Sequence, residues 1–212
     1  MILLALDTCL TACSLALSRD GEPIAWASEP MARGHQERLA PMARDLMASR
    51  GLAFAQIDRI GVTVGPGSFT GLRVGLAFAK GLALALTRPC VGVGVLEALA
   101  ASISGAGPTA AVIDAGRGRV YLQLFDAGVS LSGPDILTLD LAAGRLVGVF
   151  PSGRMVVTGP GARLLIGAAP FATLDETATP DPRVVAQLAG LAPSAPPRPL
   201  YLRPPDAKVK AA

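Results

Sequence analysis

The chain has 212 residues, enough for one large domain or two small ones built around a real core. Apolar residues make up 51% of it, chiefly Ala, Leu and Val, against 4% aromatics, which favours close packing of small side chains. A net charge of +3 carried by scattered basic residues argues against a polybasic tract, and three cysteines without a CxxC pair argue against a disulfide framework or a zinc site. Cys9, Cys13 and Cys90 are each read as a small buried hydrophobe in a reducing compartment.

Residues 2–7 form a short apolar run ending at Asp7, read as a buried strand. Leu10-Thr11-Ala12-Cys13 looks like a lipoprotein cleavage box, but no Lys or Arg precedes the run and Asp7 interrupts it, so a secretory signal fits badly. Residues 13–17 follow as a second strand, and Asp20-Gly21 predicts a tight turn into a third over 23–28. Over 35–50, Leu39, Met42, Ala43, Leu46 and Met47 recur at helical spacing and Gly51 supplies a stop. A strand over 57–64 leads into Gly65-Pro66-Gly67-Ser68-Phe69-Thr70-Gly71-Leu72-Arg73-Val74-Gly75 and a helix over 72–86 that ends at Arg88-Pro89. That helix carries Lys80 and, at this length, is too short to span a bilayer. A strand over 91–95 and a helix over 96–103 complete an α/β pattern with a mixed sheet.

Gly105-Ala106-Gly107-Pro108 breaks the pattern and is the expected lobe boundary. Leu4-Ala5-Leu6-Asp7 is then echoed by Ala111-Val112-Ile113-Asp114. Each is followed by a turn, another strand and a second turn, at Asp20-Gly21 and Asp126-Ala127-Gly128. Two related halves are expected, the second shorter and less periodic, with a strand over 156–158 and a helix over 183–191. Residues 193–205 hold too many prolines for a regular helix, and Leu200-Tyr201-Leu202 is apolar enough to dock onto the body.

The glycine-rich string joins a strand to a helix. Such a junction turns tightly and offers free amides at a helix N-terminus. The residues alone leave a structural turn and an anion-binding loop both open, and the Gly-x-Lys-Ser/Thr order of a P-loop is absent.

The whole string is similar to the hallmark of the TsaB (YeaZ) family. The resemblance extends through residues 1–8, His35 to Met42, Ile113 to Tyr121, and Pro199-Leu200-Tyr201-Leu202-Arg203. It implies a two-lobed α/β protein of actin-like (ASKHA, ribonuclease H-like) fold with mixed sheets. The expected division is an N-terminal lobe over 1–104, a reduced C-terminal lobe over 105–195 and a proline-rich closing segment over 196–212. The implied function is a non-catalytic scaffolding and activating subunit of TsaD in tRNA N6-threonylcarbamoyladenosine modification of the adenosine next to the anticodon. TsaE, which hydrolyses ATP, is the implied third partner, and a homodimer is a further one. No cofactor of its own is implied, with ATP and metal on the partner subunits. Contact with tRNA is expected only within the complex, in the cytoplasm and away from membranes. In the family the N-terminal lobes pair through helices, which maps to 35–50 and 72–86 here. The expected partner interface is therefore His35, Leu39, Met42 and Leu46 on the first helix with Gly71, Gly75 and Ala79 on the second.

Asp7 and Asp114 stand at strand ends, where α/β proteins place ligand-binding groups. Actin-like ATPases have glycine two residues after the first such aspartate; Cys9 holds that position and obstructs an approach by phosphate. Asp114 is followed by Gly116 and Gly118, with Arg117 and Arg119 as cations for either a phosphate or plain solvent. His35 is the chain's one histidine and no partner for it is legible. In TsaD two histidines four residues apart bind metal; alignment puts Val95 and Leu99 there, and neither can ligate. Ser68 lacks the Gly-x-Ser-x-Gly elbow, so hydrolase chemistry is not expected. Gly71, Gly75 and Ala79 form one stripe of small residues, and Ala77, Gly81 and Ala85 another; one is expected on the chain's own sheet and the other against a partner. The alternative of a different class is an actin-like enzyme that binds ATP and transfers phosphoryl or acyl groups.

Overall fold

The computed structural model describes residues 1–103 and 107–202. The first half begins with β1 (Ile2–Asp7), β2 (Ala12–Arg19) and β3 (Glu22–Pro30), followed by α1 (His35–Ala48). It continues with β4 (Arg59–Thr63), α2 (Phe69–Leu86), β5 (Cys90–Val93) and α3 (Val95–Ser102). The strands form one mixed sheet in the order β3-β2-β1-β4-β5. β1 pairs antiparallel with β2 and parallel with β4, so Asp7 at the end of β1 lies beside Thr63 at the end of β4. Asp20 and Gly21 both take positive φ in the β2–β3 turn, as the Asp-Gly pair predicts.

The second half repeats that plan. It runs β6 (Thr109–Gly116), β7 (Arg119–Asp126), β8 (Val129–Ser130), β9 (Asp135–Thr138), α4 (Leu139–Val149), β10 (Val156–Thr158) and β11 (Thr173–Asp175). Its sheet is ordered β11-β10-β6-β7-β8, with β9 also on β7. β6 takes the place of β1, flanked by an antiparallel hairpin partner and a parallel β10. The duplication read from the two strand-Asp-turn segments is therefore real. β9, α4 and β11 were not legible in this weakly periodic stretch.

The final helix, α5 (Pro182–Leu191), does not sit where the linear division puts it. It packs across β1, β2, β4 and β3 of the first sheet. Leu3, Ala5 and Ala16 meet Val185, Ala186 and Ala189 in one apolar cluster, while Leu4, Leu6, Leu15 and Leu17 face α1 and α2 on the other side. The first sheet is thus covered on both faces, which is why β1 and β2 read as nearly continuous apolar runs. Residues 182–202 belong physically to the first lobe, a correction to the expected 105–195 unit. Within the expected boundary at 105–108, positions 105 and 106 lie outside the described residues, as do Arg203 and the rest of the closing segment.

α2 starts at Phe69, three residues before the expected helix. At 18 residues and a mean hydropathy of 1.4 it is, among the described residues, the one helix long and apolar enough to cross a membrane by length and composition alone. One of its stripes is nonetheless committed to the first sheet.

Candidate functional site

The glycine-rich junction owes its composition to contact with the β1–β2 turn. A Cβ placed on Gly71 would stand 1.9 Å from the Thr8 carbonyl oxygen, one on Gly67 2.3 Å from that of Cys9, and one on Gly75 2.5 Å from Thr8 Oγ1. The two segments are bonded as well as close. Ser68 N donates to Cys9 O at 2.7 Å, and Thr8 Oγ1 donates to Gly71 O at 2.7 Å. Ser68 Oγ accepts from Gly71 N at 3.2 Å as the N-cap of α2. The structural reading of the loop accounts for Gly67, Gly71, Gly75 and Ser68, whose side chain caps the helix.

Asp7 is buried at the centre of this junction. Its Oδ1 accepts from Thr63 Oγ1 at 2.6 Å and from Cys9 N at 3.0 Å, while Oδ2 is buried without a described partner. Burial pushes its pKa up against the opposing effect of those bonds. The Cys9 thiol lies 3.2 Å from Thr63 Oγ1, and burial raises it far above the ordinary thiol range. The actin-like fold implies a nucleotide with its metal between the lobes, and these residues do not fit one. Asp7 is sealed from the cleft, and Cys9 fills the turn where phosphate would approach. Asp114 is exposed instead, and its Oδ1 accepts from Gly116 N at 2.7 Å. Arg117 and Gly118 follow in left-handed conformation.

A cleft of about 680 Å³ separates the two halves, walled by Cys9, Leu10, Phe69, Asp114, Tyr121 and Tyr201 among others. The closing segment docks there as expected, Leu200 N donating to Val64 O at 2.8 Å. Tyr201 packs on Phe69 with ring centroids 5.4 Å apart. Composition pointed away from aromatics, so this cluster was missed; its signal was Phe69 within the loop and Tyr201 within an otherwise proline-rich stretch.

All seven residues expected at the partner interface are turned inward. Leu39, Met42 and Leu46 are buried against the first sheet, and His35 is buried with no partner for Nε2 among the described residues. Gly71, Gly75 and Ala79 are buried along the sheet-facing side of α2. α1 is amphipathic, so its apolar stripe goes to the core, and that corrects its placement on a partner face. The surplus apolar surface lies on α2. Ala77, Gly81, Leu84 and Ala85 are exposed there, Leu84 at 83%, and a Cβ on Gly81 would meet nothing within 4 Å. Val95 and Leu99 are fully buried in the core. Cys9 and Cys13 are interior and Cys90 is half-buried.

A family model for TsaD, tRNA N6-adenosine threonylcarbamoyltransferase, matches residues 29–135. The protein TsaB of Escherichia coli, named for tRNA threonylcarbamoyladenosine biosynthesis, is 40% identical over 124 residues, which are 57% of this chain and 53% of that protein. The chain thus spans about half the length of that curated relative. An uncharacterized protein of Mycobacterium tuberculosis is 34% identical over 208 residues, 97% of this chain and 93% of that one. A Pseudomonas aeruginosa crystal structure, described by its similarity to the peptidase YeaZ, superposes with a TM-score of 0.81 at 31% identity, covering 95% of this chain and 99% of that one. A ROK hexokinase of Thermus thermophilus shares the fold at a TM-score of 0.50 and 15% identity over 90% of this chain and 98% of that one.

Proposed function

This chain belongs to the TsaB (YeaZ) family, and we propose that it is a non-catalytic scaffolding and activating subunit in tRNA threonylcarbamoyladenosine biosynthesis. In this reading it pairs with TsaD, which modifies the adenosine next to the anticodon, and works in the cytoplasm beside TsaE. ATP and metal belong to those partners. A second copy of the chain can take the place of TsaD on the same face.

The observation that carries the reading is the outer stripe of α2. Its inner stripe is used up on the chain's own sheet, while Ala77, Gly81 and Ala85 leave a smooth exposed track with Leu84 beside it. Small residues spaced by four let another helix approach closely, and unspent apolar area of this kind marks an interface. The enclosed Asp7 and the apolar Val95 and Leu99 support a subunit without chemistry of its own.

Gly81→Glu tests the face. The variant is expected to keep its fold, since the position is open and glutamate is a better helix former by up to about 1 kcal/mol. It should lose co-purification with TsaD, and a variant that still binds normally would overturn the placement. Titration of the isolated chain with ATP and magnesium tests the absence of intrinsic activity. Tight binding with thermal stabilisation would favour the alternative, an actin-like enzyme.

A further inference from the structure

Aromatic residues are scarce in this chain, yet both of its tyrosines and Phe69 wall the cleft between the halves. Phe69 and Tyr201 are 40% and 46% exposed at its lip. The Arg73 guanidinium lies 3.7 Å over the Phe69 ring, and its Nε is 3.4 Å from the Tyr201 hydroxyl. The tyrosine, phenylalanine and arginine form a part-exposed stack in which Arg73 covers one face of Phe69 and Tyr201 leans on its ring.

Three arginines stand by the cleft without a carboxylate. Arg38, Arg44, Arg88, Arg145, Arg163 and Arg183 each pair with a carboxylate. Among the described residues, Arg33, Arg73 and Arg119 have no carboxylate partner, as is also true of Arg50, Arg59, Arg154 and Arg198 elsewhere, and these three stand near this cleft. Arg119 lies two residues before Tyr121 on β7 and so on the same face of the strand. Arg33 follows Ala32, which walls both the cleft and an adjoining hollow of about 380 Å³ that also contains Arg33, His35 and Glu37. Ser68 is the other residue common to the two, so the hollow lies directly beside the cleft. The carboxylates along them are Asp114, which accepts from the Gly116 amide, and Glu37, which accepts from Gln36.

We propose that this cleft and the hollow beside it bind a stretch of unpaired RNA, bases stacking on Tyr201, Phe69 and Tyr121 and phosphates meeting Arg73, Arg119 and Arg33. Stacking on aromatic rings with arginines tracking the backbone is how single strands are held without base-specific contacts. A duplex hides its base faces and cannot use the stack. A free nucleotide with its metal is disfavoured because Asp7 is buried and does not line the cleft. The inference rests on the reading above only in choosing RNA as the polymer.

The test is binding of a labelled RNA hairpin with an unpaired loop to the full chain at low and moderate salt. The competitors are a fully paired duplex of the same composition and AMP. The hairpin should bind and the duplex and AMP should not displace it. Tyr201→Ala and Arg73→Ala should each weaken binding about 5- to 100-fold while leaving the thermal melt unchanged, since both side chains are exposed. Arg44→Ala removes the same charge from an arginine paired with Asp45 and should leave affinity unchanged. No hairpin binding, equal binding of the duplex, displacement by AMP, or equal losses in the Arg44 and Arg73 variants would each overturn the proposal. Co-purification with TsaD reads the earlier proposal independently. Partner binding without RNA binding sinks only this inference, and RNA binding without partner binding sinks only the other.

Discussion

The two halves open on the same strand-Asp-turn-strand segment and use its aspartate in opposite ways. Asp7 ends a strand covered on both faces and accepts from Thr63 and the Cys9 amide, while the glycines of the β4–α2 junction press on Thr8 and Cys9 beside it. Asp114 stands two residues before the end of β6 at the wall of the cleft, and its Oδ1 accepts from the amide of Gly116. Identical local chemistry thus becomes a buried anchor in one half and an exposed turn cap in the other. What differs is the material packed over it: the close-fitting α2 in the first half, open cleft in the second.

The largest expected effect comes from breaking the close fit. Gly71→Val would drive a side chain into the Thr8 carbonyl, and a loss of more than about 4 kcal/mol is expected, read as failure to give a folded monomer. The equivalent insult in the second half should be mild, because a Cβ on Gly144 of α4 meets nothing within 4 Å.

Met42→Glu ranks next, with a loss of about 3–5 kcal/mol in urea unfolding from an unpaired charge in the core of the first half. Val147→Glu on the exposed side of α4 should change stability by no more than about 0.5 kcal/mol. Equal losses at the two sites would erase the contrast between the core-facing side of α1 and the outer side of α4.

Asp7→Asn sharpens the comparison in the opposite direction. Burial raises the folded-state pKa of Asp7 above its unfolded value. Its penalty is therefore absent at acid pH, where the carboxyl is neutral in both states, and grows as pH rises above the unfolded value of about 4 towards the folded one. Asparagine keeps the acceptor for Thr63 and Cys9 without the charge. The variant should be more stable than the parent at neutral pH, by about 1.4 kcal/mol for each unit of elevation, with the difference vanishing near pH 3. Asp114→Asn should change stability least of all, by no more than about 0.5 kcal/mol at neutral pH.

Much of this architecture was legible because it is local. Ile2–Asp7 and Thr109–Gly116 are strands by composition, and Asp20-Gly21 and Asp126-Ala127-Gly128 are turns by backbone preference, with Asp20, Gly21, Ala127 and Gly128 all at positive φ. The burial of Cys9 and Cys13 also followed from their place beside the opening strand. Leu139–Val149 escaped because Gly144 and Gly148 dilute its helical periodicity, and β9 and β11 are too short to show one.

The spacing of small residues on α2 determined that two stripes exist; only the fold decided which one faces the sheet. Periodicity reports which residues share a face, and when both faces are small and apolar it is silent about which meets the core. The same limit placed Leu39 and Met42 at an interface when the sheet had claimed them. Chain order likewise assigned α5 to the second half, whereas Ala189 fits against Gly61, and Arg59 Nη1 donates to the Ala189 and Gly190 carbonyls across 130 positions of sequence. Contacts of that reach depend on the shape both halves have already taken, which is a property of the packed molecule and not of any window of residues.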